Sequence, residues 1–386
     1  MRGKSDPQAV LFTVAIDLEQ RVRADHPLRT IKRMADEDLR KMGPKFDAAY
    51  ADEGRPSVPP ERLIKALLLQ SIYSIRSEAQ LVERIDHDLL FRWFLDLRID
   101  ESVFDATVFC HNRRRLEEHG LIGAFFDGTV RRAMAAGLVS PDHFSVDGSL
   151  IEAYASIKSF KPRNEKDKSD GDAGGNNGFK SRNAEVDFHG QKRSNDTHVS
   201  TTDPEAKLVR KSDGKPALLS HALHAVIENR HGLVLAVEVN SPLDNSEPNT
   251  ALSLIDRIKR RFQLKPKTVG ADKGYDQGPL LRGLERRKIR PHVAVKEGVI
   301  GGRTGWNRRQ NKSNIAARKR MRRRMRTVGY QISQRCRKKI EEWIGWAKTI
   351  GGLYRTRLIG HAKTGQQAHL AGAAFNLIRM RKLRTA

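Results

Sequence analysis

Three acidic residues in this chain have the type, the neighbours and the spacing for divalent-metal chemistry: Asp147, Asp272 and Glu341. Asp147 sits in "HFSVDGSLIEA", which reads as a short strand ending at Asp147-Gly148. Asp272 ends a second apolar run, "TVGAD", and Gly274 follows it closely. A strand-end aspartate beside glycine is placed to project from the rim of a sheet. Hard divalent cations take oxygen ligands. Two of them, about 3.5–4 Å apart, activate the attacking oxygen and stabilise the leaving one in phosphodiester chemistry. A lone strand-end aspartate is more ordinarily a turn or cap residue. The triple in a strongly basic chain favours the metal reading.

The third carboxylate has to be chosen between neighbours, because "KKIEEWIGWAK" holds both Glu341 and Glu342. If 337–348 is one helix, Arg337, Glu341, Ile344 and Lys348 fall on a single stripe at i, i+4, i+7 and i+11. Glu342 lies about 100° around the helix, near Lys338 and Lys339. Glu341 thus has a cation on either side along its own face, which suits a metal-binding carboxylate with phosphate-binding Arg337 and Lys348 beside it. Glu342 reads as an ordinary ion-pair partner. Trp343 and Trp346 read as packing residues rather than as platforms for an unpaired base.

Charge narrows the class of partner. The 386 residues include 72 Lys and Arg against 46 Asp and Glu, a formal net charge of +26. Such an excess points to a polyanion, since neutralising phosphates releases condensed counterions. No run of 18 or so apolar residues and no signal peptide is apparent, so membrane binding is disfavoured. Cys110 and Cys336 make neither a disulfide framework nor a zinc site, and a reducing cytosol is expected.

The elements that must position the carboxylates follow from periodicity. The first 140 or so residues read as short capped helices. One is entered at "SVPPERL" with Ser57 as cap, one has a Ser77–Gln80 capping box, and one is started by Asp105 and stopped by Gly120. The third carries Arg113, Arg114 and Arg115, which fit either a DNA-reading helix or a solvated face. A polar tract over 159–213 is expected to be loop. "ALHAVIEN" and "LVLAVEV" make a hairpin about Arg230-His231-Gly232. A helix from Ser246, the Asp272 strand, a helix near 277–287, a strand "IRPHVAV" and the glutamate helix then alternate. Between them, 308–326 holds ten basic residues and no acidic one. This order predicts an α/β mixed sheet with flanking helices, preceded by an all-helical region.

These motifs, in this order, resemble the DDE transposases of bacterial insertion sequences, specifically the insertion-sequence-five group. "SVDGSLIEA" is similar to that family's first-aspartate strand and "GADKGYD" to its second. Its signature around the glutamate is Tyr, two residues, Arg, three residues, Glu, six residues, Lys. Arg337, Glu341 and Lys348 match it, while Gln334 stands in place of the tyrosine and Tyr330 is out of register. "RPSVPPERLIKALLLQSIYSIRSEAQLVERIDHDLLFRWFLDL" resembles its N-terminal helical region, and "KRSNDTHVSTTDPEA" is also similar to it.

The resemblance implies an RNase H-like catalytic core over 141–350, with a polar insertion at 159–213 and a basic DNA-binding segment at 298–330. It implies a helical DNA-binding domain over 1–140 and a helical tail over 351–386. Asp147, Asp272 and Glu341 would hold two Mg²⁺ ions, with Mn²⁺ able to substitute. The element's ends would be nicked by activated water, and the freed 3′-hydroxyl would attack target DNA. Arg337, Lys348, Arg318, Lys319, Arg320, Arg322, Arg323, Arg324 and Arg113–Arg115 are the expected DNA contacts. The expected partners are double-stranded DNA (terminal inverted repeats and target) and further copies of the chain, at least a dimer, in the bacterial cytoplasm at the nucleoid. Two rival readings share the basic charge: a metal-dependent nuclease that cuts without joining, and an inactive DNA-binding regulator. A zinc enzyme using His221 and His224 is disfavoured, because residues three apart in a strand point to opposite faces.

Overall fold

Among the described residues, eight helices come first: α1 (Leu18–Arg21), α2 (Pro27–Arg40), α3 (Gly43–Asp47), α4 (Pro60–Ile72), α5 (Glu78–His87), α6 (Leu89–Phe94), α7 (Thr107–Glu118) and α8 (Leu121–Ala135). The computed structural model describes residues 17–51, 53, 57–163, 193–211, 214–243, 246–295 and 308–385. Of the predicted caps, Ser77 stands: its Oγ accepts from the Gln80 N–H at 3.2 Å. Asp105 is not the N-cap of α7, which is Ala106; from the position before it, its Oδ1 accepts from the Thr107 N–H at 2.7 Å. Gly120 and Gly137, at φ 58° and 68°, adopt the left-handed turn that stops a helix with least strain. Ser57 is not a cap: α4 starts at Pro60 with Pro59 at its N-cap, where the missing proline N–H leaves nothing to satisfy.

The sheet begins with β1 (His143–Glu152). It continues with β4 (Lys207–Arg210), β5 (Ala217–Glu228), β6 (Val234–Asn240), β7 (Thr268–Ala271) and β8 (Arg290–Val293), after a small separate pair, β2 (Phe160–Pro162) and β3 (His198–Ser200). β5 is antiparallel to both β1 and β6, while β7 lies parallel to β1 and β8 parallel to β7. β4 shares the β6 edge of β5, further towards the start of that strand. This is the expected mixed, RNase H-like α/β sheet. Helices α9 (Ser246–Phe262) and α10 (Gly278–Arg286) join its strands, and α11 (Arg308–Arg324), α12 (Val328–Arg337), α13 (Lys339–Thr349) and α14 (His361–Thr385) complete the chain.

Three expectations need correction. β1 does not stop at Asp147-Gly148 but runs on to Glu152, because β5 pairs with it along its whole length, from Phe144↔Glu228 to Glu152↔Ser220. The tract 159–213 is not all loop: its ends supply β2, β3 and β4, and "DKSDGDAGGNNGF" lies outside the described residues. Residues 337–348 are two helices, not one, with the boundary at Lys338. Lys338 keeps helical dihedrals (φ −55°, ψ −20°), so the i, i+4 relation across the boundary survives.

The C-terminal helix welds the two regions. α14 packs on β6 and on α2, α4 and α8 of the N-terminal region. One continuous apolar core therefore runs from Val22 to Met380. At its centre, fully buried Asn376 brackets the edge of β6, donating to the Val234 carbonyl at 2.8 Å and accepting from the Val234 N–H at 2.9 Å. Asn376→Leu is expected to destabilise the protein by about 2–4 kcal/mol, because it leaves a buried N–H and C=O unpaired. Denaturant unfolding checks this; a loss under about 0.5 kcal/mol would show that water replaces the amide.

Candidate active site

Strand register brings the two aspartates together. β1 and β7 are parallel with His143 opposite Thr268 and Ser145 opposite Gly270. Carried two residues further, the same register sets Asp147 level with Asp272 on neighbouring strands, which lie about 4.8 Å apart. Asp272 follows the last residue of β7 and caps a short 3-10 turn at Lys273–Tyr275, accepting from the Gly274 N–H at 2.8 Å. Asp147 is mid-strand, with its Oδ1 accepting from the Gly148 N–H at 2.8 Å. Each aspartate thus has a carboxylate oxygen that its backbone N–H donor does not take; on Asp147 that oxygen, Oδ2, faces Arg337.

Glu341 joins through arginine. α13 packs over β1, and α12 is tied to the same sheet by Ser333, whose hydroxyl meets His143 Nε2 at 2.9 Å. One turn beyond Ser333, Arg337 reaches Asp147 at 3.9 Å and Glu341 at 3.4 Å. Its Nε is buried without a partner among the described residues. A half-buried guanidinium therefore stands between two of the three predicted carboxylates. Glu341 itself is exposed. Glu342 turns the other way and pairs with Arg379 of α14 at 2.8 Å, not with Lys338 or Lys339; Lys339 instead donates to the Asn229 and Arg230 carbonyls. Trp343 is fully buried, and Trp346 stands edge-on to Phe375 with centroids 5.6 Å apart, so both are packing residues.

A fourth carboxylate, Glu247, belongs to this cluster and was not among the predicted site residues. It lies in the first turn of α9. A Cβ on Gly148 would stand 2.9 Å from its Oε1, and one on Gly274 would stand 3.6 Å from its Oε2 and 3.0 Å from Asp272 Oδ1. Both glycines are cradles for carboxylates. A glutamate in a first helical turn ordinarily reads as a partner of the helix dipole, so only the tertiary fold exposes its position.

The electrostatics are those of an under-neutralised acid cluster. Burial pushes the Asp147 carboxyl up to about 6, with the charges of Asp272 and Glu247 adding to it and Arg337 opposing. Burial and then Asp272 raise Glu247. Buried Tyr275 is raised well above its ordinary value by desolvation and by Glu247, Asp147 and Asp272 in turn. Such a site calls for cations, and oxygen-only donors suit a hard divalent ion. Among the described residues, no three His, Cys, Asp or Glu side chains stand close enough as placed to coordinate one ion. Because Gly148 has no Cβ, Gly148→Ala is expected to leave stability nearly intact, moving only the end of a flexible glutamate. It should slow metal-dependent cleavage roughly 10–100-fold through misplacement. Melting curves beside single-turnover rates check this; unchanged rates would remove Glu247 from the site.

The predicted DNA contacts divide. Arg318 bonds to Asp276, Arg320 and Arg324 both reach Glu285, and α11 is thereby pinned near α10. Lys319 and Arg323 are exposed, and Arg322 is half-buried. Arg113 pairs with Glu78, Arg114 pairs with Glu118 at 2.7 Å, and the Arg115 guanidinium lies 4.4 Å from the Tyr50 ring centroid. Lys348 is half-buried one side of α13 beyond Glu341, and burial followed by Lys211 lowers its pKa. Gln334, standing where the signature has tyrosine, donates to the His292 carbonyl at 2.6 Å, while Tyr330 packs edge-on to the His292 ring. His221 and His224 go to different partners, Asp203 at 3.0 Å and Asn240 at 2.8 Å, as strand alternation requires.

The mixed RNase H-like sheet sets two strand aspartates level with one another and a helix glutamate beside them. Residues 196–377 match the family model described as Transposase DDE domain, and residues 16–115 match that described as Transposase domain (DUF772). The chain belongs to the DDE transposases. Asp147 lies between the two matched stretches, whereas Asp272 and Glu341 fall inside the second. Among solved structures, the chain is similar to one titled "Cryo-EM structure of piggyBac transposase synaptic complex with hairpin DNA", at 9% identity and a TM-score of 0.39, covering 93% of this chain and 76% of that one. No curated protein matches it. Among the described residues no helix is long and apolar enough to cross a membrane.

Proposed function

We propose that this transposase binds the terminal inverted repeats of its element, cleaves the ends and joins the 3′-hydroxyls to target DNA at the Asp147–Asp272–Glu341 site. The observation that carries the reading is the β1–β7 register, which levels Asp147 with Asp272 while Arg337 ties Glu341 to Asp147. Two Mg²⁺ ions, when bound, supply activation of the attacking oxygen and stabilisation of the leaving oxygen. Asp147, Asp272 and Glu341 would hold them, with Glu247 as a further carboxylate beside Gly148 and Gly274. Asp147, at about 6, is ionised at neutral pH and ready to ligate. Arg337, whose guanidinium stands 3.9 Å from Asp147 and 3.4 Å from Glu341, has the planar donor fork for a two-pronged contact with the reacting phosphate. Lys348 contributes a point charge further along the strand.

Exposed Lys319 and Arg323 on α11 and Arg114 on α7 give phosphate contacts away from the centre. Two ends handled in one event require at least two copies of the chain on DNA. Labelled element-end DNA, incubated with the protein, Mg²⁺ and a target duplex, tests the proposal. Nicked ends together with end–target joined product are expected. Cutting without joining on a suitable target would assign a nuclease, and binding without cutting would assign a regulator.

A further inference from the structure

The elements that carry the carboxylates both lead to a second feature. β1 runs from Asp147 to Glu152, five residues or about 17 Å, and α13 runs from Glu341 to Thr349, eight residues or about 12 Å. Both end at a cavity of about 620 Å³ between the N-terminal helices and the segment joining α13 to α14. That segment is fastened to the end of β1: the Glu152 N–H donates to the Tyr354 carbonyl at 3.1 Å, and the Thr356 N–H donates to the Glu152 carbonyl at 2.9 Å. It carries Arg355 and Arg357 to the cavity rim, opposite Arg76 from the α4–α5 turn, and all three are exposed. Arg355 is the most encumbered, 3.6 Å from Glu152. Exposed Tyr154 stands on the same rim.

The lining mixes apolar side chains such as Leu67 and Ile122 with polar ones, two of which are unsatisfied among the described residues. Ser71 is buried and, among the described residues, its hydroxyl has no partner; the Gln366 amide nitrogen is likewise buried and unpaired among them. Both line the cavity. Buried polar groups are nearly always hydrogen-bonded, so two orphans in one recess mark a place for a polar ligand. Arginines at the mouth select an anion. The 12–17 Å lengths of these element paths, laid along a duplex axis at 3.4 Å per nucleotide of one strand, correspond to DNA backbone roughly four to five nucleotides from the reacting phosphate.

We infer that this cavity is a backbone-binding groove that grips one DNA strand four to five nucleotides from the cut, with Arg76, Arg355 and Arg357 on its phosphates and Ser71 and Gln366 bonding the sugar–phosphate inside. The inference rests on the transposase reading and adds the path of the strand. None of these residues is in the catalytic set, so the groove acts by positioning DNA.

The test pairs protein and DNA changes. The triple variant Arg76→Ala, Arg355→Ala, Arg357→Ala is compared with wild type on end DNA bearing one neutral methylphosphonate at each of positions two to eight from the cut. For wild type, substitution at positions four and five is expected to weaken binding about 3–10-fold, with little effect elsewhere in the series. For the variant, those positions should cease to matter, and the slope of log affinity against log salt should be shallower by about 2–3. Melting curves matching wild type confirm folding, since all three arginines are exposed. A variant with wild-type affinity, slope and position profile overturns the groove while wild-type cleavage leaves the transposase reading standing. Wild type that neither binds nor cuts the DNA overturns both. Intact DNA binding with lost self-association assigns the groove to a second copy of the chain and overturns it as a DNA site.

Discussion

Asp147→Asn and Asp272→Asn are each expected to lower single-turnover DNA cleavage by roughly 10³-fold or more, about 4 kcal/mol of transition-state stabilisation. The reason is geometric. The two aspartates occupy level positions on parallel strands, so an ion held by both loses half of its rigid anchoring when either becomes an amide. An amide is isosteric but neutral, so the fold is retained while the charge that holds a divalent ion is lost. On the proposed reading, in which one site serves both steps, cleavage and joining should fall together. Loss of joining alone in either variant would place the two steps at separate sites.

The same substitution at Asp147 is expected to stabilise the metal-free protein. The Asp147 carboxyl is raised from 3.8 to about 6. Between those values the folded state holds a proton that the unfolded state has released, so stability falls as pH rises through the window. The contribution is fully present below about pH 4 and is lost as pH rises through 6. The difference amounts to roughly 3 kcal/mol at pH 8. Asp147→Asn removes the penalty and loses only a 3.9 Å contact with Arg337. Denaturant unfolding in EDTA should therefore find the variant more stable than wild type at pH 8, with the two converging at pH 4. Divalent metal should reverse the order by binding wild type more tightly. A variant less stable than wild type at pH 8 without metal would mean that the Arg337 contact outweighs burial and repulsion.

Much of this site was legible in the sequence because its parts are local. Asp147 and Asp272 were marked by apolar runs and glycines, and Arg337 with Glu341 by helical spacing, which held across the boundary at Lys338 because that residue keeps helical dihedrals. The hairpin of β5 and β6 was legible for the same reason. What sequence could not carry was partner choice across the fold. Glu342 was placed beside Lys338 and Lys339, yet it pairs with Arg379, 37 residues away. The length of β1 was underestimated because Asp147-Gly148 looks like a turn, whereas pairing with β5 holds it extended and the glycine makes room for Glu247. Glu247 itself needed the crossing of α9 over the strand ends. The arginines of 308–326 were expected to contact DNA, but Glu285 and Asp276, which lie far earlier in the chain, pair with three of them.

The assignment of Glu341 ties α13 to the two strands and is the centre of the account. The most direct measurement is Mg²⁺-dependent cleavage and joining of labelled end DNA by Glu341→Gln and Glu342→Gln side by side. Glu341→Gln is predicted to lose both steps by roughly 10³-fold. Glu342→Gln should stay within a few-fold of wild type, giving up only a half-exposed ion pair with Arg379 worth about 0.2–1 kcal/mol. A Glu341→Gln protein that still cut and joined at the wild-type rate would contradict the site.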